Sequence, residues 1–140
     1  TPSYYKTELG NELHDKLHKE IKKWTGLKLF KTYNYWRKYK KGDILKPHTD
    51  RLACEISVSL CVGFKGNPWE LFILNKDGIP IRTFLNPGDA LLYKGCELSH
   101  WRPRLTESDE HIQLFLHYVD QSGPNKDHRY DQIHEREKKH

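Results

Sequence analysis

The amino-terminal part of the chain carries apolar residues at helical spacing. Between residues 8 and 25 they form one stripe, which consists of Leu9, Leu13, Leu17, Ile21 and Trp24. This spacing predicts an amphipathic helix whose stripe faces the core. Thr7 can cap the first turn and Gly26 can end the helix. His14 and His18 lie one residue past the stripe. They are four residues apart, as in some metal sites, but no third ligand accompanies them, so we expect them on the solvated edge of the helix.

After Gly26 the pattern changes to short alternating segments that are separated by turn residues. Segments of this kind predict strands at residues 27–39, 44–50, 55–64, 69–74, 79–85, 90–93, 98–102 and 112–119. Asp77-Gly78 is a hairpin signal. One helix followed by about eight strands favours a mostly β fold with an N-terminal helix, packed on an antiparallel sandwich or jelly roll. Residues 121–140 are polar and predict a C-terminal tail, with a turn of helix around residues 130–137.

Composition narrows the class of protein. Charged residues make up 31% of the chain and apolar residues 36%, a balance that is typical of soluble globular domains. No apolar run approaches the ~18 residues of a membrane span, and no signal-peptide pattern opens the chain. The net charge is +5, but much of the excess is spread over solvated lysines, which disfavours a nucleic-acid partner. The chain starts at Thr1 and contains no Met, so we expect a piece of a longer protein.

Cysteine usage indicates a reducing compartment. Cys54, Cys61 and Cys96 are an odd number of cysteines and show no CxxC spacing. This pattern argues against a disulfide framework and against a zinc knuckle. We therefore expect reduced thiols and a cytoplasmic location.

A candidate metal site begins on the strand predicted at residues 44–50. Alternation places His48 and Asp50 on the same face of that strand. A third ligand must come from another strand, and His100 is the best candidate because it follows a Pro-Gly-Asp turn and a short apolar strand. Two imidazoles and one carboxylate occupy one face of an octahedron and leave positions open for a 2-oxo acid and O₂. This set suits Fe(II) better than structural zinc.

The same segments resemble a known family. From residue 36 to residue 120 the chain resembles the prolyl-hydroxylase-like branch of the 2-oxoglutarate/Fe(II) oxygenases. The resemblance rests, in the family's order, on LKPHTD, EISVSLCV, NPWELFIL, LNPGDALLYKG, SHWR and QLFLHYVD. It implies a double-stranded β-helix, that is, a jelly roll of the cupin-like kind. It also implies a single oxygenase domain over residues 1–120, with a support helix at 8–25, a β core at 27–120 and the polar tail at 121–140.

The resemblance also implies an activity. His48, Asp50 and His100 are expected to bind Fe(II) and to be the catalytic centre. The implied reaction uses O₂, converts 2-oxoglutarate to succinate and hydroxylates an unidentified substrate, which is a peptide or protein side chain or a small metabolite. No membrane partner is expected.

The cosubstrate anchor is where the chain departs from the family. The family binds the distal carboxylate of 2-oxoglutarate with an Arg or Lys about ten residues after the second histidine, and His111 stands there. Arg102 shares strand parity with His100, and Tyr39 matches the place of a tyrosine that donates its hydroxyl to the cosubstrate. We favour Arg102 with Tyr39 and keep His111 as a further candidate. His117 shares the face of His111 and is expected to point toward the same pocket.

Two other functions fit the same residues. A cupin-like metal-binding barrel with a non-oxidative isomerase or sensor function can also present an HxD motif and a distant histidine. A catalytically inactive interaction module is the third candidate, because position 111 lacks the family's Arg or Lys.

Overall fold

The computed structural model describes residues 3–5 and 7–130. Within them lie one α-helix, α1 (Glu8–Thr25), and two short 3-10 helices, Leu52–Cys54 and Lys126–Tyr130. The described residues also form nine strands: β1 (Ser3–Tyr5), β2 (Leu29–Lys40), β3 (Leu45–His48), β4 (Ile56–Gly66), β5 (Leu71–Leu74), β6 (Pro80–Thr83), β7 (Ala90–Tyr93), β8 (His100–Arg102) and β9 (Ser108–Asp120). The prediction of a mostly β chain with an N-terminal helix is confirmed. The helical turn expected at 130–137 falls on residues outside the described part, apart from residue 130.

The strands form two antiparallel sheets. The strand order is β1-β2-β9-β4-β7 in the five-stranded sheet and β3-β8-β5-β6 in the four-stranded sheet. The chain therefore crosses repeatedly between the sheets, which is consistent with a jelly roll. Strand β9 lies at the centre of the five-stranded sheet, where Phe115 is opposite Tyr35 of β2 and Ser59 of β4. Side chains from both sheets line a shared cavity, so the core is divided between this cavity and the face that receives α1.

Helix α1 begins and ends where the sequence predicts. The Thr7 hydroxyl accepts a hydrogen bond from the Gly10 amide at 3.0 Å, which caps the first turn. Gly26 adopts a left-handed conformation with φ of 72°, and its amide donates to the Lys22 carbonyl. A residue with a side chain is strained in this conformation, which explains the glycine at the helix end.

The buried face of α1 differs from the predicted stripe. Ile21 is fully buried, and Leu13 and Leu17 pack against the same cluster. Leu9 and Trp24, however, are 51% and 65% exposed. The sheet side of this cluster consists of Leu29, Ile56, Val58, Leu114, Leu116 and Tyr118. The middle of the stripe therefore forms the helix–sheet contact, whereas its two ends face solvent.

The expectation that His14 and His18 lie on a solvated edge is wrong. His14 is buried, and its Nε2 donates to the His117 carbonyl at 2.8 Å. The His18 Nε2 donates to the Leu29 carbonyl at 2.6 Å. Both imidazole rings also contact Tyr118. Hydrogen bonds from these two side chains to carbonyls of the sheet therefore act together with the middle of the apolar stripe in fixing which side of the helix is buried.

The His14 side chain is neutral in the folded protein. Burial lowers its pKa to about 4. Its Nδ1 lies 3.3 Å from the Asn34 amide nitrogen and accepts from it, while its Nε2 is the donor. A Cβ at Gly10 would lie 2.3 Å from the Asn34 Oδ1, so glycine at this position allows the close approach of helix and sheet.

The described residues can be compared with two expectations from composition, which concern membrane spans and the state of the cysteines. Across residues 3–5 and 7–130, no helix has both the length and the apolar character that a membrane crossing requires. The three cysteines are free thiols, as their spacing predicts.

We expect His14→Ala to destabilise the fold more than Leu9→Ala, although the hydrophobic stripe alone predicts the opposite order. Loss of the buried hydrogen bond and of the ring contact should lower the free energy of unfolding by about 2–4 kcal/mol. Leu9→Ala should change it by about 0.5 kcal/mol or less, because its side chain is half exposed. Urea unfolding followed by circular dichroism measures both variants. An equal or larger cost for Leu9→Ala would contradict this helix placement.

Candidate metal centre and its cavity

Strand pairing places the two histidines opposite each other. In the antiparallel pair of β3 and β8, the Cα atoms of His48 and His100 are direct partners. The two ring centroids lie 4.3 Å apart. His100 is 3% exposed, whereas His48 is partly exposed at the cavity edge. The pairing of two short strands thus brings together imidazoles that are far apart in sequence.

Asp50 completes the cluster from outside the strand. β3 ends at His48, so the prediction of one strand reaching residue 50 is wrong. The Asp50 amide instead donates to the Gly95 carbonyl at 2.8 Å, which orients the loop. The Asp50 Oδ1 lies 3.2 Å from the His48 Nε2 and 3.3 Å from the His100 Nε2. The candidate ligand atoms of the three residues all lie within 4.8 Å of one another.

The second nitrogen of each imidazole is fixed by its own strand. The His48 Nδ1 lies 2.7 Å from the Lys46 carbonyl, and the His100 Nδ1 lies 2.9 Å from the Leu98 carbonyl. A carbonyl can only accept, so Nδ1 carries a proton in both rings. Without a cation each Nε2 hydrogen-bonds to the Asp50 carboxylate, and loss of the Nε2 proton would free its lone pair for a cation. Hydrogen bonds such as those of the two Nδ1 atoms are the usual way in which metal-binding imidazoles are oriented.

The Asp50 carboxylate is ionised, and a cation would displace the protons that the two histidines share with it. Burial alone would raise the pKa of Asp50, but hydrogen bonds with His100 and His48 outweigh burial and hold that pKa well below its usual range. The hydrogen bond with Asp50 raises the pKa of His48. An ionised carboxylate beside two imidazoles is a donor set that fits Fe(II), Ni(II) or a similar divalent ion with open coordination positions.

A cavity of about 320 Å³ opens beside the three residues. Three of the four predicted cosubstrate residues, Tyr39, Arg102 and His117, line it. The fourth residue, His111, is buried but does not line this cavity. Burial and the nearby charge of Arg102 lower the pKa of His111 to about 4, so its imidazole is neutral at neutral pH. The structure therefore brings Arg102, but not His111, to the cavity as a cation.

Arg102 is a buried cation at the cavity wall. It is 3% exposed, and its Nη1 donates to the Trp69 carbonyl at 2.7 Å. Its guanidinium also lies over the Trp69 ring, 4.8 Å from the centroid. No described carboxylate forms an ion pair with it. A buried guanidinium without an acidic partner is unfavourable by itself, which makes it a strong candidate to bind an anion.

Tyr39 and His117 stand in different environments along the cavity. Tyr39 is 1% exposed, its ring packs edge-on against Trp69, and its hydroxyl forms no hydrogen bond with another described residue. The His117 Nδ1 lies 2.8 Å from the Ser57 hydroxyl, which itself donates to the Cys54 carbonyl. His117 therefore donates to Ser57 and is held rigidly. Tyr39 is the better placed of the two to donate a hydrogen bond to a ligand.

Sequence reasoning missed several cavity residues. The missed residues include Tyr33, Tyr35, Arg37, Ser59 and Tyr93. Three of them share odd numbering on β2 with Tyr39, so strand alternation could have placed all four on one face. The alternation along β2 was hard to recognise, because its even-numbered residues are also large or polar and so do not contrast with the odd-numbered ones. Trp36 and Asn34 are examples, and they contact the helix side.

Comparisons with known proteins agree on the fold. No family model matches the sequence, and no curated protein matches it. Among solved structures, an oxidoreductase of the 2OG-Fe(II) oxygenase family from Burkholderia pseudomallei is similar with a TM-score of 0.67 and 16% identity. The alignment covers 83% of this chain and 60% of that one, so the chain spans less than two thirds of that protein.

Two further structures extend the likeness. HygX from Streptomyces hygroscopicus, solved with iron, has a TM-score of 0.68 at 13% identity, over 86% of this chain and 72% of HygX. HygX was also solved with nickel and 2-oxoglutarate. The α-ketoglutarate-dependent epimerase SnoN from nogalamycin biosynthesis has a TM-score of 0.67 at 13% identity, over 84% of this chain and 60% of SnoN. At these identities the likeness establishes a common fold.

Gly95 provides a test of how Asp50 is positioned. A Cβ at Gly95 would lie 2.6 Å from the Asp50 Oδ2, 2.6 Å from the Cys54 carbonyl and 2.7 Å from the Ser57 hydroxyl. We expect Gly95→Ala to displace the carboxylate and to weaken divalent metal binding by roughly ten- to a hundredfold, as loss of supporting contacts does at other metal sites. Calorimetric titration with Zn(II) or Ni(II) measures the change.

The matched control is Gly63→Ala, where an added Cβ meets nothing within 4 Å. This variant should bind metal as the wild type does. If Gly95→Ala bound metal with unchanged affinity, the assignment of Asp50 as a ligand would lose its support.

Proposed function

We propose that this chain is an Fe(II)- and 2-oxoglutarate-dependent oxygenase with a double-stranded β-helix core. The observation that carries the proposal is the convergence of the His48 Nε2, His100 Nε2 and Asp50 Oδ1 beside a cavity lined by Arg102, whose guanidinium has no ion-pair partner among the described residues. A metal site with three protein ligands explains the first feature. An anionic cosubstrate explains the second. The fold shared with HygX and the Burkholderia oxygenase supports the same conclusion.

In this proposal His48, Asp50 and His100 hold Fe(II) on one side and leave the cavity side open. Bound iron would supply O₂ activation coupled to oxidative decarboxylation of 2-oxoglutarate. The protein holds both imidazoles in the tautomer with Nε2 toward the metal, through the Lys46 and Leu98 carbonyls.

We assign the distal carboxylate of 2-oxoglutarate to Arg102. A guanidinium offers a planar fork of donors that matches a carboxylate, and only one hydrogen bond of Arg102, to the Trp69 carbonyl, is made with the described residues. The Tyr39 hydroxyl is assigned as a second donor to the cosubstrate. His111 is not assigned this role, because its imidazole is neutral and lies off the cavity.

The proposed outcome is hydroxylation of a substrate C–H bond, in the manner of the prolyl-hydroxylase-like branch. SnoN has the same fold and is described as an epimerase, so the fold by itself is compatible with another outcome. The motifs LKPHTD, LNPGDALLYKG and SHWR support the prolyl-hydroxylase-like branch. The cavity of about 320 Å³ is large enough for the cosubstrate together with a side chain or a small molecule that enters from solvent.

Succinate formation tests the proposal. Wild-type protein with Fe(II), O₂ and 2-oxoglutarate should release succinate, and Arg102→Gln should raise the KM for 2-oxoglutarate by roughly ten- to a hundredfold, the cost of one charge-assisted interaction. Arg102→Lys should recover part of this loss, because it restores the charge but not the planar fork. Arg104→Gln removes the same charge from an exposed arginine and should leave KM unchanged.

Two results would contradict the proposal. Absence of succinate from wild-type protein that demonstrably binds the metal would favour the non-oxidative metal-binding barrel. An unchanged KM in folded Arg102→Gln would move the anchor to another residue.

A further inference from the structure

Arg37 lies in the cavity without a role in the proposed reaction. On β2 it is two residues before Tyr39, and its Cα partner on β9 is Gln113. It lines the cavity together with His48 and Asp50. Its guanidinium carbon lies over the Tyr39 ring, 4.9 Å from the centroid. Arg37 therefore stands on the same wall as the proposed cosubstrate tyrosine and beside the candidate metal centre.

The Arg37 guanidinium has no acidic partner among the described residues. No described carboxylate forms an ion pair with it, and its Nε is buried without a hydrogen-bond partner. An arginine used only for structure normally satisfies a buried Nε with a carboxylate or a carbonyl.

The charged groups that line the cavity leave the Arg37 guanidinium available to bind an anion. Among the described residues, three arginines line the cavity, Arg37, Arg51 and Arg102, but one carboxylate, that of Asp50. Asp50 is already engaged with both histidines. In the proposed function 2-oxoglutarate carries two carboxylates, of which one would bind at the metal and the other at Arg102. Neither of them compensates Arg37.

We propose that Arg37 binds an acidic group of the substrate, a carboxylate or a phosphate, and so selects anionic substrates at this site. The inference rests on the proposed function, because it assumes that Arg102 is occupied by the cosubstrate. Aromatic rings line the same cavity as Arg37: Tyr35 stacks between Tyr33 and Phe115, with centroid distances of 6.0 and 4.8 Å. These rings suit a substrate whose acidic group is attached to a flat apolar body.

Three small molecules test whether binding at this site depends on the charge of the ligand or on its shape. Benzoate and phenyl phosphate carry the acid on an aromatic ring, and benzamide has nearly the shape of benzoate without its charge. Each probe is titrated by calorimetry into Ni(II)-loaded protein, once alone and once saturated with 2-oxoglutarate. We expect at least one of the two acids to bind in the presence of 2-oxoglutarate and benzamide not to bind measurably.

Variants of Arg37 test whether this residue binds the acid. Arg37→Gln should weaken binding of the acid by roughly ten- to a hundredfold. Arg37→Lys should recover part of the affinity, and the exposed control Arg104→Gln should have no effect. Circular dichroism and thermal melting verify that each variant is folded. If Arg37→Gln were unfolded, Arg37→Lys would still test whether the planar fork matters.

The outcomes separate this inference from the proposed function. Equal binding of benzamide and benzoate, or unchanged acid binding in Arg37→Gln, would overturn the role of Arg37. If Arg37→Gln weakened the binding of 2-oxoglutarate instead of the binding of the acid, the role of Arg37 in substrate binding would also be overturned. Arg37 would then be the cosubstrate anchor. If wild-type protein failed to bind 2-oxoglutarate, the proposed function would fail, whereas the titration without 2-oxoglutarate would still decide whether Arg37 binds acids.

Discussion

The pairing of β3 with β8 is the constraint on which the candidate site depends. It sets His48 directly opposite His100, and both Nε2 atoms then reach one oxygen of Asp50, at 3.2 and 3.3 Å. The backbone of each strand holds the other ring nitrogen through a carbonyl. The positions of the two imidazoles are therefore set by two short strands, and the cavity follows from the space that these strands enclose with the five-stranded sheet.

Local sequence patterns predicted which three residues come together but not the way in which they are held. Alternation correctly indicated that His48 and Asp50 come together, yet β3 ends at His48. The direction of Asp50 is set by a hydrogen bond to the Gly95 carbonyl and by the missing side chain of Gly95. Such a contact between distant loops leaves no periodic signal. His100 could be identified because its own segment follows a recognisable Pro-Gly-Asp turn.

Hydrogen bonding explains one of the remaining differences from the sequence prediction, and the positions of residues on their strands explain the others. The apolar stripe predicted α1 and its ends, but the sheet carbonyls of Leu29 and His117 draw two histidines into the interface. On β9, strand alternation predicted that His111 and His117 share a face and point toward one pocket. Their different positions along the strand leave only His117 at the cavity. Arg37 was overlooked because both faces of β2 are covered by protein, so neither face shows the solvent-exposed pattern that makes alternation readable.

The central claim is that His48, Asp50 and His100 hold Fe(II) with room for 2-oxoglutarate. Its most direct test is the visible absorption of the protein under anaerobic conditions, titrated with Fe(II) and then with 2-oxoglutarate. A weak charge-transfer band should appear only when both are present, and it should be lost in His48→Ala, Asp50→Ala and His100→Ala. Wild-type protein that binds Fe(II) but shows no band on addition of 2-oxoglutarate would contradict the account, as would a band that persists in all three variants.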